Sequence, residues 1–254
     1  MGRFFPYAQK EDIIKNFKDS DNISYNSSFV YPVGGAIEYV NTLYNKLYAD
    51  NFILGKEVVS INIHDKVLTL SNGQILHYDR LISTIPFPKL LELASIAYPN
   101  EVYSWNQVLV FNLGFNKKGK DTKSHWLYFP ENEYCFYRVG FYDNILGQDR
   151  MSLYVELGFN KSEVINPNSW LGKVLLDLYK AGIVDETQLL IDYESIVMNP
   201  AYVHINKDVI KDVEQKKELL RNHDIYSIGR YGSWTYCSIE DNILEAKSIS
   251  EILN

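Results

Sequence analysis

Cysteine is nearly absent. Cys135 and Cys237 are the only two in 254 residues, and neither has neighbours that resemble a metal or redox motif. Both read as reduced, structural thiols, which fits a cytoplasmic protein. The five histidines are scattered, so no metal site is expected. No apolar run approaches the ~20 residues of a membrane-spanning helix. The opening MGRFFPYAQKEDIIKNF has no apolar stretch followed by small residues and does not read as a secretory signal. Basic residues are in the minority, and the net charge of −7 argues against nucleic acid as a partner. Neither G-x-G-x-x-G nor G-x-x-x-x-G-K-[ST] occurs, so no complete dinucleotide or P-loop turn is encoded. Paired carboxylates for acid–base work are missing too. Asp143, Asp149 and Asp192 stand alone and read as solvated, and no Ser/His/Asp or Cys/His set is recognisable.

The remainder is ordinary globular composition, 46% hydrophobic and 22% charged, long enough for one large domain or two small ones. Aromatics are the exception, with 20 Tyr and 12 Phe. Tyrosine joins an apolar ring to a polar tip and suits sites for sugars and phosphates. The joint abundance of Asn, Lys, Ile and Tyr reads equally well as a biased genome.

Periodicity outlines the elements. Residues 1–28 are polar and irregular. Phe29–Tyr31 is strand-like, Pro32 and Gly34-Gly35 break it, and a helix is expected from about Ala36 to Tyr48. Short strands follow at Val58–Ile63, Val67–Leu70 and Ile75–Tyr78, with Asn72-Gly73 as a hairpin signal. Leu81–Ile85 is a buried strand, and Lys89–Ser95 a short helix. Four strands are expected at Tyr103–Phe115, His125–Phe129, Glu133–Phe141 and Ser152–Phe159, forming an antiparallel sheet. Trp170–Ala181 and Asp208–Arg221 read as helices, Leu189–Met198 and Ile225–Ile228 as strands, and a last helix starts at Ser238.

Three segments carry chemical interest. In the first, Gly229-Arg230-Tyr231-Gly232-Ser233-Trp234-Thr235-Tyr236, a strand ends in a glycine-bearing turn, and Ser238 with Asp241 fits a capping box for the helix that follows. Such a turn aims free N–H groups and the positive end of a helix at one point, suited to a flavin carbonyl or a phosphate. Arg230 adds a fixed charge there. Spacing alone favours a plain strand-to-helix connection with an exposed Arg. In the second segment, alternation puts Tyr128 and Arg138 on the polar faces of two strands. If those strands pair, Arg and Tyr hydroxyls could clamp a diphosphate, and plain surface aromatics are the competing reading. In the third, Gly34-Gly35 permits close backbone approach to a ligand, while most such glycine pairs are plain turns.

Taken in order, these segments resemble UDP-galactopyranose mutases, of the eukaryotic more than the bacterial type, within the FAD-dependent amine oxidase and protoporphyrinogen oxidase superfamily. Phe5-Pro6-Tyr7 with Lys10 resembles the family's PYN-x-K, Phe29–Gly35 its F-x-YP-x-x-GG, and Ile82–Pro86 its ST-x-P. Trp126–Glu131 resembles W-x-YFPE, Phe136–Val139 FYR-x-T, and Gly229–Tyr236 GRFGSW-x-Y. The resemblance implies an α/β mixture, namely an incomplete FAD/NAD(P)-binding Rossmann-like domain with an antiparallel-sheet substrate domain and flanking helices. It implies an N-terminal segment 1–28, a partial FAD-binding domain at 29–100, a substrate domain at 101–205, and a return to the FAD-binding domain at 206–254. It also implies FAD as cofactor, with Gly34, Gly35, Val59, Thr84, Gly229 and Ser238 on its side, and Arg230 beside the isoalloxazine as the catalytic charge. Tyr128, Arg138, Tyr202 and Tyr236 would hold a substrate diphosphate. The activity implied is a nucleotide-sugar mutase, possible in cell-surface polysaccharide synthesis, in which the flavin is the nucleophile and the protein needs no catalytic dyad.

Three departures stand out. The chain reads as the C-terminal part of such an enzyme without its phosphate-binding turn, so it is expected to bind FAD weakly or not at all. The family's NQDH after the last Tyr is Cys237-Ser238-Ile239-Glu240 here, and the Thr of FYR-x-T is Gly140. An amine oxidase or protoporphyrinogen oxidase-like oxidoreductase and a non-catalytic binding module are the alternatives. An apolar tunnel in place of the Tyr/Arg clamp would favour the oxidoreductase.

Overall fold

The computed structural model describes residues 29–48 and 51–253. The Phe5-Pro6-Tyr7 and Lys10 segment therefore lies outside the described residues. Contacts divide the chain after Phe52 into two units.

In the first unit Gly35 takes a left-handed φ of 91°, and its N–H donates to Pro32 O at 3.0 Å. The turn leads into helix α1, Ile37–Tyr44. Helix α1 stops short of the expected Tyr48. The expected strand at Phe29–Tyr31 does not form. Phe29 and Val30 are exposed and belong to no strand among the described residues.

The second unit begins with strands β1 (Val58–Asn62), β2 (Val67–Leu70) and β3 (Ile75–His77), an antiparallel meander. Next come β4 (Leu81–Ser83) and helix α2 (Phe87–Leu93), then β5 (Trp105–Phe115), β6 (Trp126–Tyr128) and β7 (Arg138–Phe141). Helix α3 (Tyr142–Leu146) precedes β8 (Ser152–Asn160), helix α4 (Leu171–Lys180) and β9 (Leu190–Val203). Helix α5 (Lys207–Arg221), β10 (Ile225–Ser227), the short α6 (Gly229–Gly232) and α7 (Ile239–Leu253) complete it. Strands β4 and β10 pair in parallel, and five strands form an antiparallel sheet in the order β6-β7-β8-β5-β9. The architecture is a mixture of helix and sheet in which antiparallel pairing dominates.

Two main cores hold this unit. In one, Leu109, Phe111 and Leu113 of β5 meet Leu153, Val155 and Leu157 of β8, with Val174 and Leu178 of α4 packed on them. The other gathers Phe87, Leu90 and Leu91 of α2, Val209 and Leu220 of α5, Ile225 of β10, Tyr103 and Trp234. Helix α5 is capped by Asn206, whose side chain accepts from the Val209 N–H.

The elements depart from the sequence reading in four places. Glu133–Phe141 is strand only from Arg138, because buried Asp177 accepts the Cys135 N–H at 2.9 Å and fixes the preceding turns. Strand β9 continues through Asn199-Pro200 to Val203, since the register against β5 shifts there and a bulge accommodates a proline without an N–H. Helix α3 has no apolar stripe long enough to be seen. Asp143, read as solvated, is 1% exposed; its carboxylate accepts the Ser152 N–H at 3.1 Å, with Lys118 Nζ 3.9 Å away.

Candidate functional site

The antiparallel sheet buries one face under α4 and leaves the other open, and the register fixes what stands on the open face. Tyr128, Arg138, Glu156 and Val110 are cross-strand partners of one row, so their side chains share a face. Arg138 is the centre. Its Nη2 donates to Glu156 Oε1, in an ion pair, and to Tyr202 Oη at 3.2 Å, while Nη1 reaches Tyr128 Oη at 3.4 Å. Tyr137 Oη donates to the other oxygen of Glu156. Burial works against the charge of Arg138, but the hydrogen bond and negative charge of Glu156 overrule it and push its pKa up. Burial also pushes up the phenol of Tyr137, and Glu156 adds to the effect by accepting its proton. Arg138 Nε is buried without a hydrogen-bond partner, so the guanidinium keeps unspent donor capacity.

Arg230 arrives from the opposite side, carried by α6. Its guanidinium lies 4.3 Å from the Tyr236 ring and 5.3 Å from the Tyr202 ring, and these two rings stack 5.9 Å apart at 14°. Arg230 has no carboxylate within ion-pair distance among the described residues, whereas Glu156 cancels the charge of Arg138. Arg230 is thus a charge that no ion pair among the described residues cancels, and such a charge draws an anion toward it. Tyr128, Arg138, Tyr202, Tyr236 and Arg230 thus meet in one place, from four separate stretches of sequence.

The turn that presents Arg230 differs from the expectation of free N–H donors. Gly229, at φ 81°, donates to Glu245 Oε2 at 2.7 Å, and the Arg230 N–H to Asn242 Oδ1 at 3.1 Å. Glu245 also accepts from Ser233 Oγ at 2.7 Å, and Lys217 Nζ lies 3.8 Å away. Helix α7 thus supplies its own side chains to the N–H groups that a ligand would need. Ser238 is engaged as well: its Oγ accepts the Asp241 N–H at 3.1 Å, while Asp241 Oδ2 takes the Ser238 N–H and hydroxyl, a closed capping box.

Thr84 and Gly229 follow the carboxyl ends of the parallel strands β4 and β10, where open α/β sheets place ligands. Ile228 N–H donates to Ser83 O at 2.9 Å, and a Cβ at Gly232 would come within 2.9 Å of that carbonyl, which only glycine tolerates. Thr84 also lines a cavity of about 490 Å³ with Val58, Ile82 and Pro86. Val59 does not line it; it is 47% exposed at an irregularity in β1, and its neighbour Val58 faces the cavity instead. Gly34 and Gly35 form the turn before α1 in the first unit. Among the described residues no group of three or more metal-ligating side chains occurs, and no helix is long and apolar enough to cross a membrane.

Sequence reasoning missed Glu156, Tyr154, Asn242 and Glu245, and weighed Tyr137 only as a surface aromatic or a further hydroxyl of the clamp. The lone acid inside the apolar run Leu153–Leu157 was a usable signal for Glu156, because a charge in a buried strand needs a partner. Asn242 and Glu245 carry no such mark on a polar helix.

No family model matches the sequence. The fold is similar to that of a reduced UDP-galactopyranose mutase, at a TM-score of 0.80 and 23% identity, covering 92% of this chain and 55% of that one. It is also similar to a protein assigned as a protoporphyrinogen oxidase from Exiguobacterium sp. 255-15 (TM-score 0.71, 15% identity, 87% of this chain and 51% of that one). A CLA-producing fatty acid isomerase from P. acnes follows at 0.54 and 14%, covering 76% of this chain and 46% of that one. The chain spans about half the length of each of these structures. At such identities the likeness is one of fold.

Proposed function

We propose that this chain carries the diphosphate-binding face of an FAD-dependent, UDP-galactopyranose mutase-like enzyme acting on a nucleotide sugar. The observation that supports this reading is the meeting of Arg138, Arg230, Tyr128, Tyr202 and Tyr236 in one cleft of a protein whose net charge is −7. A planar guanidinium flanked by phenol donors matches the oxygens of a diphosphate. An oxidase of apolar substrates needs an apolar tunnel, and this cleft is lined by tyrosine hydroxyls and arginine.

The described residues of the second unit fit FAD in part. The cavity beside Thr84 offers an apolar wall of ring size. The N–H groups at Gly229 and Arg230 are held by Glu245 and Asn242 and offer no further donors. Thr84 with the strand ends, and Arg230 above them, would then hold the cofactor, which supplies nucleophilic or redox chemistry when bound. The residues of the cleft orient the diphosphate and offset its charge. The remaining phosphate-binding turn would come from a further segment or a separate chain, so FAD binding by this chain is weak.

Calorimetric titration with UDP tests the clamp, and equilibrium dialysis against FAD tests the cofactor reading. UDP binding in the micromolar range that Arg138→Ala weakens is the expected result. No UDP binding to the unmodified chain would remove the clamp, and tight stoichiometric FAD binding would show that no further segment is needed.

A further inference from the structure

The open face of the sheet extends beyond the clamp. Along β5 the rows of this face run from Asn106, which pairs with Tyr202, past Val108 to Val110, in the row of Arg138 and Glu156, and then to Asn112, which pairs with Tyr154, itself paired with Gly140. The Tyr154 row is therefore one step past Arg138, on the side away from Tyr202 and Arg230. On it Gly140 leaves a gap, and the Tyr154 ring leans across and fills it. Any Cβ at position 140 would run into that ring. The ring then lies 5.8 Å from the Arg138 guanidinium and 5.1 Å from the ring of Tyr142, whose hydroxyl donates to Asn112 Oδ1 at 3.4 Å. Tyr154 is half-buried, packed at its base against the small apolar cluster of Val108, Val110 and Ala201.

We infer that Tyr154, seated over Gly140 and backed by Tyr142 and Asn112, is a subsite for a ring carried on the phosphate that the clamp holds. This rests on the diphosphate reading of Arg138. The ring meant in the first place is a nucleoside base. The proposed cofactor side, with Arg230, is at the opposite end of the clamp, and a ligand threaded through Arg138 presents its distal group to Tyr154. A tyrosine face held by packing stacks any flat or ring-shaped group, and the Asn112 amide stands beside it for a polar edge.

The test compares four ligands on the intact chain by calorimetry: UDP against inorganic pyrophosphate, and galactose 1-phosphate against inorganic phosphate. The unmodified chain is expected to prefer UDP to pyrophosphate, and Tyr154→Ala to reduce that preference about tenfold while leaving pyrophosphate affinity alone. Tyr154→Phe keeps the ring and keeps the preference. Gly140→Ala, which displaces the ring without deleting it, shows the same loss as Tyr154→Ala, and thermal melts confirm that each variant is folded. If instead the preference for galactose 1-phosphate over phosphate is what disappears, the subsite stands and takes the sugar. An unchanged preference in both pairs, in Tyr154→Ala and Gly140→Ala alike, overturns the subsite while leaving the clamp intact. Failure of the unmodified chain to bind any of the four overturns clamp and subsite together.

Discussion

Arg138 on β7 and Glu156 on β8 are direct cross-strand partners, and their side chains close a mostly buried ion pair inside the cleft. The pair sets the level of free charge available to a ligand. Replacing one partner of a buried pair leaves the other uncompensated, at a cost of about 3 kcal/mol. Glu156→Gln is therefore expected to lower Tm by roughly 6–12 °C for a chain of this size. The same variant frees Arg138, and its affinity for inorganic pyrophosphate is expected to rise about tenfold. Thermal melts with and without pyrophosphate check both signs, and a stable variant with unaltered affinity contradicts the role given to the pair.

Arg138→Ala removes the fork itself. UDP affinity should fall on the order of ten- to a hundredfold, the worth of a hydrogen bond to a charged group. Arg138→Lys should recover little of it, because an ammonium cannot make the planar two-point contact. FAD retention in a reconstituted enzyme should be unchanged, and its loss together with UDP would move Arg138 to the cofactor side.

Gly140→Ala forces the Tyr154 ring from its seat and is expected to cost about 2 kcal/mol as an overpacking change. The double variant with Tyr154→Ala should be more stable than the sum of the two single changes, since the clash is gone. Chemical denaturation of the four proteins measures this coupling, and simple additivity would mean that the two residues do not meet.

Several phenols titrate late. Burial raises Tyr98 and Tyr154 to about 12, and pushes Tyr103 and Tyr137 up as well. In the unfolded chain these groups ionise near their ordinary value of 10.0. Between those values the folded state holds more protons than the unfolded one, so stability falls as pH rises. It is fully present below about pH 10 and lost toward 12. Tyrosinate absorbance should show these four ionising together with unfolding.

Much of the fold was legible because burial imposes a period. The alternation in β5 and β8 and the helical stripe of α4 reported their own structure. Phe29–Tyr31 has strand-like residues and forms no strand, since a ladder needs a partner that local sequence does not name. The clamp residues Tyr128 and Arg138 followed from strand parity and from the resemblance. Glu156 stands out as an acid in an apolar strand, but its pairing with Arg138 follows only from register, and the capture of the Gly229 and Arg230 N–H groups by α7 depends on a helix returning over the turn. Val59 shows the limit of parity: an irregular register exchanges which neighbour faces inward.

The parallel pairing of β4 with β10 also governs the order in which the chain can fold. Lys66, on the meander just before β4, bonds at 2.7 Å to Asp224, which immediately precedes β10, across a separation of 158 residues. During synthesis the β1–β3 meander and α2 emerge long before α5 and β10, and their half of the second core stays uncovered for that interval. The antiparallel sheet carries most of its own core within residues 109–184 and can condense meanwhile. Completion of the β4–β10 layer is then the late, high-contact-order step, and a pause or truncation before Ile225 leaves Phe87, Leu90 and Leu91 as surface available to chaperones.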